Sequence, residues 1–556
     1  MGRKCRRPSE SSRTSSLRRG GGFLLLEKVW SLVPHSRCVR TTSLSFPRSG
    51  SVPVRGAVST TWSSTMTTII NATIGESKGV SRVFMEGRHL LTAGVQIGNK
   101  YSIKSDKVAR RLELIEVQSG FAGKCISVSK RERNGVVHPV IDLRSEQIRE
   151  VFEDDHKVRV AIRRGRIVIT ALQIQTKIRE RLKRMKEKLD RGQKLAVCSL
   201  FHGGGILDAA VHSGLMRSGV GSFLQVGVEL ESEYLDCSMR NNTEIWTEDS
   251  IAINSDVRDV YLSENTPQCE VLLGGIPCIA ASKSGKVKNK LTFAEEHADA
   301  GALFVDYLNW LRHVNPCIAL IENVGEYANT ASMAAIRSVF IYLGYRVHEA
   351  VLDGWDYGTL EHRKRLVVVA ITPGIGDSFS FENLKVNKVR ETCINAILDD
   401  IPLDDESWKS YEYLATKEKR DKAEGKGFAR QLLTGNESGC GTLGTGYKKG
   451  RSTEPFILHP ENPGLSRLFT KAEHERLKGI PAGLTDGVSE TIGHEICGQS
   501  VCFPKFVSVG EEIGRALMSS RNNVVNFPSR SAQASMDEAV CAEPEKFQTG
   551  SLALLI

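Results

Sequence analysis

The chain has 556 residues, 40% hydrophobic and 25% charged, enough for two or three domains and ordinary for a globular protein. No apolar run approaches the ~20 residues that span a bilayer. Thirteen scattered cysteines without a Cys-x-x-Cys pair argue against a disulfide framework or a structural metal site and fit a reducing, intracellular compartment. The formal charge of +10 resides in residues 1–65, which hold twelve Lys/Arg against two acids. The remainder balances 63 basic and 63 acidic residues, so whole-chain charge identifies no partner.

Residues 1–65 are rich in Ser, Arg, Gly and Pro. That composition suits a disordered extension, an organellar transit peptide, or an upstream translation preceding a true start at Met66. The last is favoured, because orderly patterning begins only after Met66. Residues 80–172 read as a small β-rich domain, in which VRVAIRRGRIVITAL (Val158–Leu172) alternates across an Arg-Gly turn and predicts a β-hairpin. The series R-x-L-x-x-A-G-x-x-x-G in this unit, with V-x-V and G-x-I-V-I-T after it, resembles the AbrB and SymE swapped-hairpin domains. That resemblance implies DNA binding and dimerisation. An ordinary β-rich accessory domain is the alternative. In residues 173–193, Ile174, Ile178, Leu182, Met185 and Leu189 form one apolar helix stripe opposite a basic face, expected to be a charged linker helix.

From Lys194 the pattern becomes α/β. KLAVCSLF, a glycine loop HGGG, VGVEL, VLLGG, IALIENV, YRVHEAVLD and RLVVVAIT alternate with helical stretches such as Gly301–Val314. Strands and helices at this spacing predict a doubly wound, mostly parallel, Rossmann-like sheet with its ligands at the carboxyl ends of the strands. Phe201-x-Gly203-x-Gly205 suits close approach of a cofactor at a helix N-terminus, and Glu229 at the end of the next strand suits a ribose diol. On these residues alone a dinucleotide enzyme fits equally well. In Glu270–Lys286 an apolar run meets Gly-Gly-Ile-Pro and then Cys278. A thiol on a loop at a strand end, near basic residues, is suited to be a nucleophile.

The ordered series SLFHGGG, VEL, SDV, GGIPCIAAS, IENVGEY, YGTLEHRKRLVVVA, RLFTKAEHERLKGIP and CGQSVCFPKF resembles the cytosine-5 DNA methyltransferase family from Lys194 to about Met518. The resemblance implies an S-adenosylmethionine-dependent enzyme that methylates C5 of a flipped cytosine through a covalent Cys278 intermediate. It implies Cys278, Glu322, Arg363 and Arg365 as catalytic residues. It implies Phe201, Gly203, Gly205, Glu229, Asp256, Pro277, Leu303, Gln499 and Ser500 as the cofactor site. It divides the chain into a catalytic domain (194–375), a target-recognition region (376–465) and returning motifs (466–518); beyond it, residues 519–556 read as a polar, disordered tail. Lys, Arg and Tyr on the glycine-rich stretch 439–451 are expected to contact DNA from a flexible loop. Double-stranded DNA is the implied partner, together with a restriction endonuclease of the same system, in a prokaryotic or phage-like cytoplasm. A genuine transit peptide would instead make the protein organellar. Four positions depart from the family pattern: Ile206, Leu230, Ile279 and Glu361. An RNA cytosine methyltransferase and a DNA-binding regulator with a degenerate core are the rival readings.

Overall fold

The computed structural model describes residues 66–118, 120–153, 155–277, 294–297 and 300–521. The expectations for residues 1–65, for the stretch 278–293 that includes Cys278 and Ile279, and for the tail from 522 lie outside the described residues.

The front unit is a nine-stranded antiparallel sheet. Its strands are β1 (Thr68–Ser77), β2 (Val80–Glu86), β3 (Lys100–Asp106), β4 (Arg111–Val117), β5 (Cys125–Ser127), β6 (Ser129–Arg133), β7 (Val136–Arg144), β8 (Lys157–Arg163) and β9 (Arg166–Ala171), in the order β5-β3-β4-β9-β8-β1-β2-β7-β6. The N-terminal part of β1 pairs with β8 and its C-terminal part with β2, so the sheet folds over itself at β1. Two short helices, α1 (Arg88–Thr92) and α2 (Glu146–Phe152), complete it. The period-2 alternation of KVRVAIR puts Val158, Val160 and Ile162 in the core and Lys157, Arg159 and Arg163 outside. The β8–β9 hairpin turns at Arg164-Gly165, with Gly165 at φ 75°.

Helix α3 (Gln173–Asp190) buries Leu182, Met185 and Leu189 in the core of the α/β region that follows. Its basic face is not simply a solvated linker surface. Arg181 is buried with its guanidinium over Tyr345 and donates to the Leu343 carbonyl. Arg184 and Lys188 both pair with the fully buried Glu270, at 2.7 and 2.6 Å. A buried carboxylate requires such partners, so part of the positive face is consumed in docking the helix.

The second, seven-stranded sheet has the strands β10 (Leu195–Leu200), β11 (Ser222–Glu229), β12 (Ile251–Asn254), β13 (Val271–Gly274), β14 (Ile318–Val324), β15 (Arg346–Asp353) and β16 (Lys364–Ile371). They run in the order β12-β11-β10-β13-β14-β16-β15, parallel except for β16, which is antiparallel to both of its neighbours. Its central strands are buried on both faces, which is why they read as continuous apolar runs. The covering helices are α4 (Ile206–Arg217), α5 (Ser232–Asn241), α6 (Leu303–Val314) and α7 (Ala331–Tyr342). The order β12-β11-β10-β13 reverses chain direction at β10, and the loops after β10 and β13 both open at the carboxyl edge beside that switch point.

The chain then forms helix α8 (Glu412–Ala423) and a three-stranded sheet of β17 (Gln431–Leu433), β18 (Pro455–Leu458) and β19 (Ser466–Arg467). The glycine-rich stretch here is packed, in contrast to the flexible loop expected. Leu443 and Tyr447 are fully buried, and the Tyr447 hydroxyl donates to the Pro455 carbonyl. Lys448, Lys449 and Arg451 remain exposed. Helices α9 (Lys471–Lys478), α10 (Glu490–Gln499) and α11 (Phe503–Arg521) return to the seven-stranded sheet, and α11 carries helix three residues past the expected start of the tail. Helix α11 crosses α4 where Gly214 meets Gly510; a Cβ on Gly214 would stand 2.2 Å from the Val507 carbonyl. No described helix is long and apolar enough to cross a membrane.

Candidate active site

The first glycine loop is held from beneath. Buried His202 has Nδ1 3.2 Å from Ser199 Oγ and 3.0 Å from Asp208 Oδ2, and Nε2 2.7 Å from Ser238 Oγ. Asn242 Nδ2 donates to the Gly204 carbonyl. Gly205 lies at φ 73°, and a Cβ there would meet Ser238 Oγ at 2.3 Å and Asn242 Nδ2 at 2.6 Å, so only glycine fits. Phe201 takes φ 58°, an uncommon conformation for a bulky residue, at the point where β10 releases the loop.

Three of the expected cofactor positions converge here. The Gly203 N–H donates to Glu229 Oε2 at 2.6 Å, and Glu229 Oε1 accepts from the Glu231 N–H. A Cβ on Gly203 would lie 3.3 Å from Gln499 Nε2. Glycine loop, strand-end carboxylate and the end of α10 therefore form one cradle. Leu303 is buried at the start of α6. Asp256 is turned to Arg258, whose backbone N–H and guanidinium it accepts from, and this partner holds its carboxyl below the usual range. Ser500 Oγ donates back to the Cys497 carbonyl. Leu230, the departure beside Glu229, is exposed.

The second group lies at the ends of β13, β14 and β16. Gly275 donates to the Leu200 carbonyl, and Asn323 Nδ2 donates to the Ile276 carbonyl at 3.1 Å. These bonds fix the backbone leading to Pro277. Gly274 has no room for a side chain, because a Cβ would stand 2.5 Å from the Tyr307 ring. On the antiparallel β14–β16 pair, Glu322 opposes Val367 and Val324 opposes Arg365, so Glu322 and Arg365 are diagonal neighbours on one face. Glu322 Oε1 lies 3.1 Å from Arg365 Nε, and both side chains keep slight exposure, 12% and 14%.

Arg363, expected beside Arg365, is not brought to Glu322. It is buried, with Nη1 donating to the Leu443 carbonyl at 3.3 Å and Nη2 to the Gly498 carbonyl at 2.9 Å. It ties β16 to the glycine-rich stretch and to α10. The departure at Glu361 is accommodated nearby: Glu361 pairs at 2.7 Å with Lys478, and both are fully buried. Composition and spacing gave no signal for Lys478, His202 or Lys505. Lys505 Nζ is buried on the Leu352 and Arg363 carbonyls, and burial pushes its ammonium down to about 8. The ENV segment contained Asn323 without revealing that it would pin the loop before Cys278.

A family model described as C-5 cytosine-specific DNA methylase matches residues 195–515. Among curated proteins, the chain is 26% identical over 46% of its length to Type II methyltransferase M1.ScrFI of Lactococcus lactis subsp. cremoris, spanning 65% of that protein. It is 28% identical over 47% of its length to M.NlaX of Neisseria lactamica, spanning 80% of it, and 29% identical over 61% to M.BsuFI of Bacillus subtilis, spanning 77% of it. Of solved structures, the Dnmt2 methyltransferase of S. pombe aligns with 59% of this chain and 99% of its own, at 18% identity and a TM-score of 0.43. With the family model covering more than half of the residues, from β10 to α11, the chain belongs to the C-5 cytosine-specific DNA methylase family.

Proposed function

We propose that the protein is a DNA (cytosine-5)-methyltransferase that uses S-adenosylmethionine and a covalent Cys278 intermediate. The observation that carries this reading is the Glu322–Arg365 pair beside the Asn323-anchored loop that leads into Pro277-Cys278, within a chain of this family.

The residues of the cradle suit the cofactor. Glu229 offers carboxylate oxygens for ribose hydroxyls, and the glycines let a ligand approach the backbone. Phe201, Gly203, Gly205, Glu229 and Gln499 would hold it, with Asp256, Pro277, Leu303 and Ser500 assigned to the pocket by the family motifs. When bound, S-adenosylmethionine supplies an electrophilic methyl group. The protein's part is to activate the base. The Cys278 thiolate forms a bond to carbon 6 of cytosine, and the electron pair of the 5,6 double bond becomes available at carbon 5. Glu322, in its protonated form, gives its proton toward N3 and accepts from the exocyclic amine, drawing density from the ring, while Arg365 stabilises charge developing on the base oxygen and keeps Glu322 in place. After transfer, the carbon-5 proton passes to water, its bond pair re-forms the 5,6 double bond, and the carbon-6–sulfur bond breaks to release the Cys278 thiolate and restore the aromatic ring. Because attack comes from above the ring plane, the base leaves the duplex stack first. Arg363 acts as a positioning residue through β16.

The test is incubation with methyl-labelled S-adenosylmethionine and either duplex DNA or transfer RNA. Label is expected in DNA, as 5-methylcytosine, and label in RNA alone would overturn the reading. Cys278→Ser is expected to abolish transfer and leave cofactor binding nearly unchanged; covalent trapping of that variant on 5-fluorocytosine DNA would refute the role given to the thiol.

A further inference from the structure

The balanced charge of residues 66–556 conceals an asymmetry. Residues 66–172 hold nineteen Lys/Arg and twelve Asp/Glu, leaving 44 basic against 51 acidic residues in everything after them. The part of the chain that contains the candidate active site is thus net negative, and the front sheet is net positive.

The strand registers locate that positive charge. On β2, β4, β7, β8 and β9 the outward positions carry Arg82, Arg111, Arg144, Lys157, Arg159, Arg163 and Arg166. The outward acids on the same strands are Glu86, Glu113 and Asp142. Each is shared by two arginines: Asp142 by Arg82 and Arg144, Glu113 by Arg111 and Arg166, and Glu86 by Arg131 and Arg133 of β6. One carboxylate between two guanidinium groups orients both while leaving a positive charge over. At the middle of the sheet the pattern stops. Among the described residues no carboxylate pairs with Arg159 or Arg163, two exposed arginines separated by Ala161 on β8. Exposed Ile69 and Ile115 lie on the same outward side of β1 and β4. Guanidinium groups held on a rigid strand can grip phosphate oxygens bidentately at low entropic cost.

We propose that the outward face of the β4-β9-β8 half of the front sheet, centred on Arg159 and Arg163, is a second contact surface for the phosphate backbone of duplex DNA. It supplies the sequence-independent attraction that the net negative remainder of the chain does not. This rests on DNA being the substrate, as argued above. The contact holds the duplex without reading bases, so it acts on affinity equally for all sequences.

The test uses the full chain and a fluorescent duplex, with binding measured by anisotropy across a salt series. For Arg159→Gln/Arg163→Gln, affinity should fall about tenfold or more, and the slope of log K against log salt should shrink by about 1.8. The control Lys183→Gln/Lys186→Gln removes equal charge from the exposed side of α3 and should leave the slope unchanged. Ala161→Glu, which places a carboxylate between the two arginines, should reproduce the loss. Far-UV circular dichroism checks that each variant is folded. If wild type methylates DNA while the arginine variant retains its affinity and slope, the surface is overturned and the active-site reading stands. If the variant loses affinity for transfer RNA but not for DNA, the surface is likewise overturned. If wild type neither binds nor methylates DNA, the active-site reading fails, and the surface fails with it.

Discussion

Lys505 allows the sharpest prediction, because its ammonium is fully buried within electrostatic reach of Glu322 and Arg365. It lies in the first turn of α11, fully buried, with Nζ 3.3 Å from the Leu352 carbonyl and 3.4 Å from that of Arg363. Loss of hydration is the leading influence and lowers its pKa; the nearby Cys502 and Glu322 pull it up, while Arg365 and Arg363 push it down, leaving it at about 8. The displacement from 10.5 corresponds to about 3 kcal/mol by which the folded state disfavours the charged form. The sign follows from proton counting. Below about pH 8 both folded and unfolded chains carry the proton, and the full cost is present. Between about pH 8 and the unfolded value near 10.5, the unfolded chain binds more protons, so this group makes stability rise with pH. Lys505→Met removes the group and keeps a chain of similar length. Urea unfolding of both proteins from pH 7 to 10.5 is the assay. The variant should be the more stable at pH 7, and the difference should shrink by roughly 3 kcal/mol across the series. Taking the difference cancels the buried tyrosines and cysteines that titrate in the same range. A gap that stays constant with pH would refute the reasoning.

Three further variants probe the same neighbourhood. Arg365→Met removes the guanidinium 3.1 Å from Glu322 and should lower kcat by roughly 10²–10³ in the labelled-methyl assay while cofactor binding, followed by calorimetry, holds. Gly205→Ala places a Cβ 2.3 Å from Ser238 Oγ at a left-handed backbone position; it should cost about 1–3 kcal/mol in urea unfolding and weaken cofactor binding. Glu361→Gln restores the side chain common in the family yet strips the buried Lys478 of its carboxylate. It should destabilise by up to about 3–5 kcal/mol, and adding Lys478→Met should recover most of that loss in a double-mutant cycle.

What could be read from the sequence was local, and what could not depends on partners far along the chain. The Arg-Gly hairpin, the apolar strands and the glycine loop each specify their conformation within a few residues, and the structure forms them where the pattern predicts. The two arginines of the R-x-R segment show where that stops. At the head of β16 the two residues are adjacent in alternation and chemically identical, so the family resemblance assigns both to the site. Arg363 donates to acceptors 80 and 135 residues away, Leu443 and Gly498, while Arg365 pairs with Glu322. The same distance in sequence explains the glycine-rich stretch. Its composition suggests mobility, but Gly498 approaches the Gly444 backbone so closely that a Cβ would stand 2.3 Å from its carbonyl oxygen. There glycine permits contact between two segments and has nothing to do with flexibility. Helix α3 makes the third case: its charges suggest a solvated surface until Glu270, buried 82 and 86 residues later, claims Lys188 and Arg184. In each case a polar group or a missing side chain was legible as a type, and its role was decided by a neighbour that only the closed fold supplies. The departure at Glu361 follows the same logic: it reads as a defect in a catalytic motif until Lys478, a helix away, turns it into one half of a buried pair that holds the motif in place.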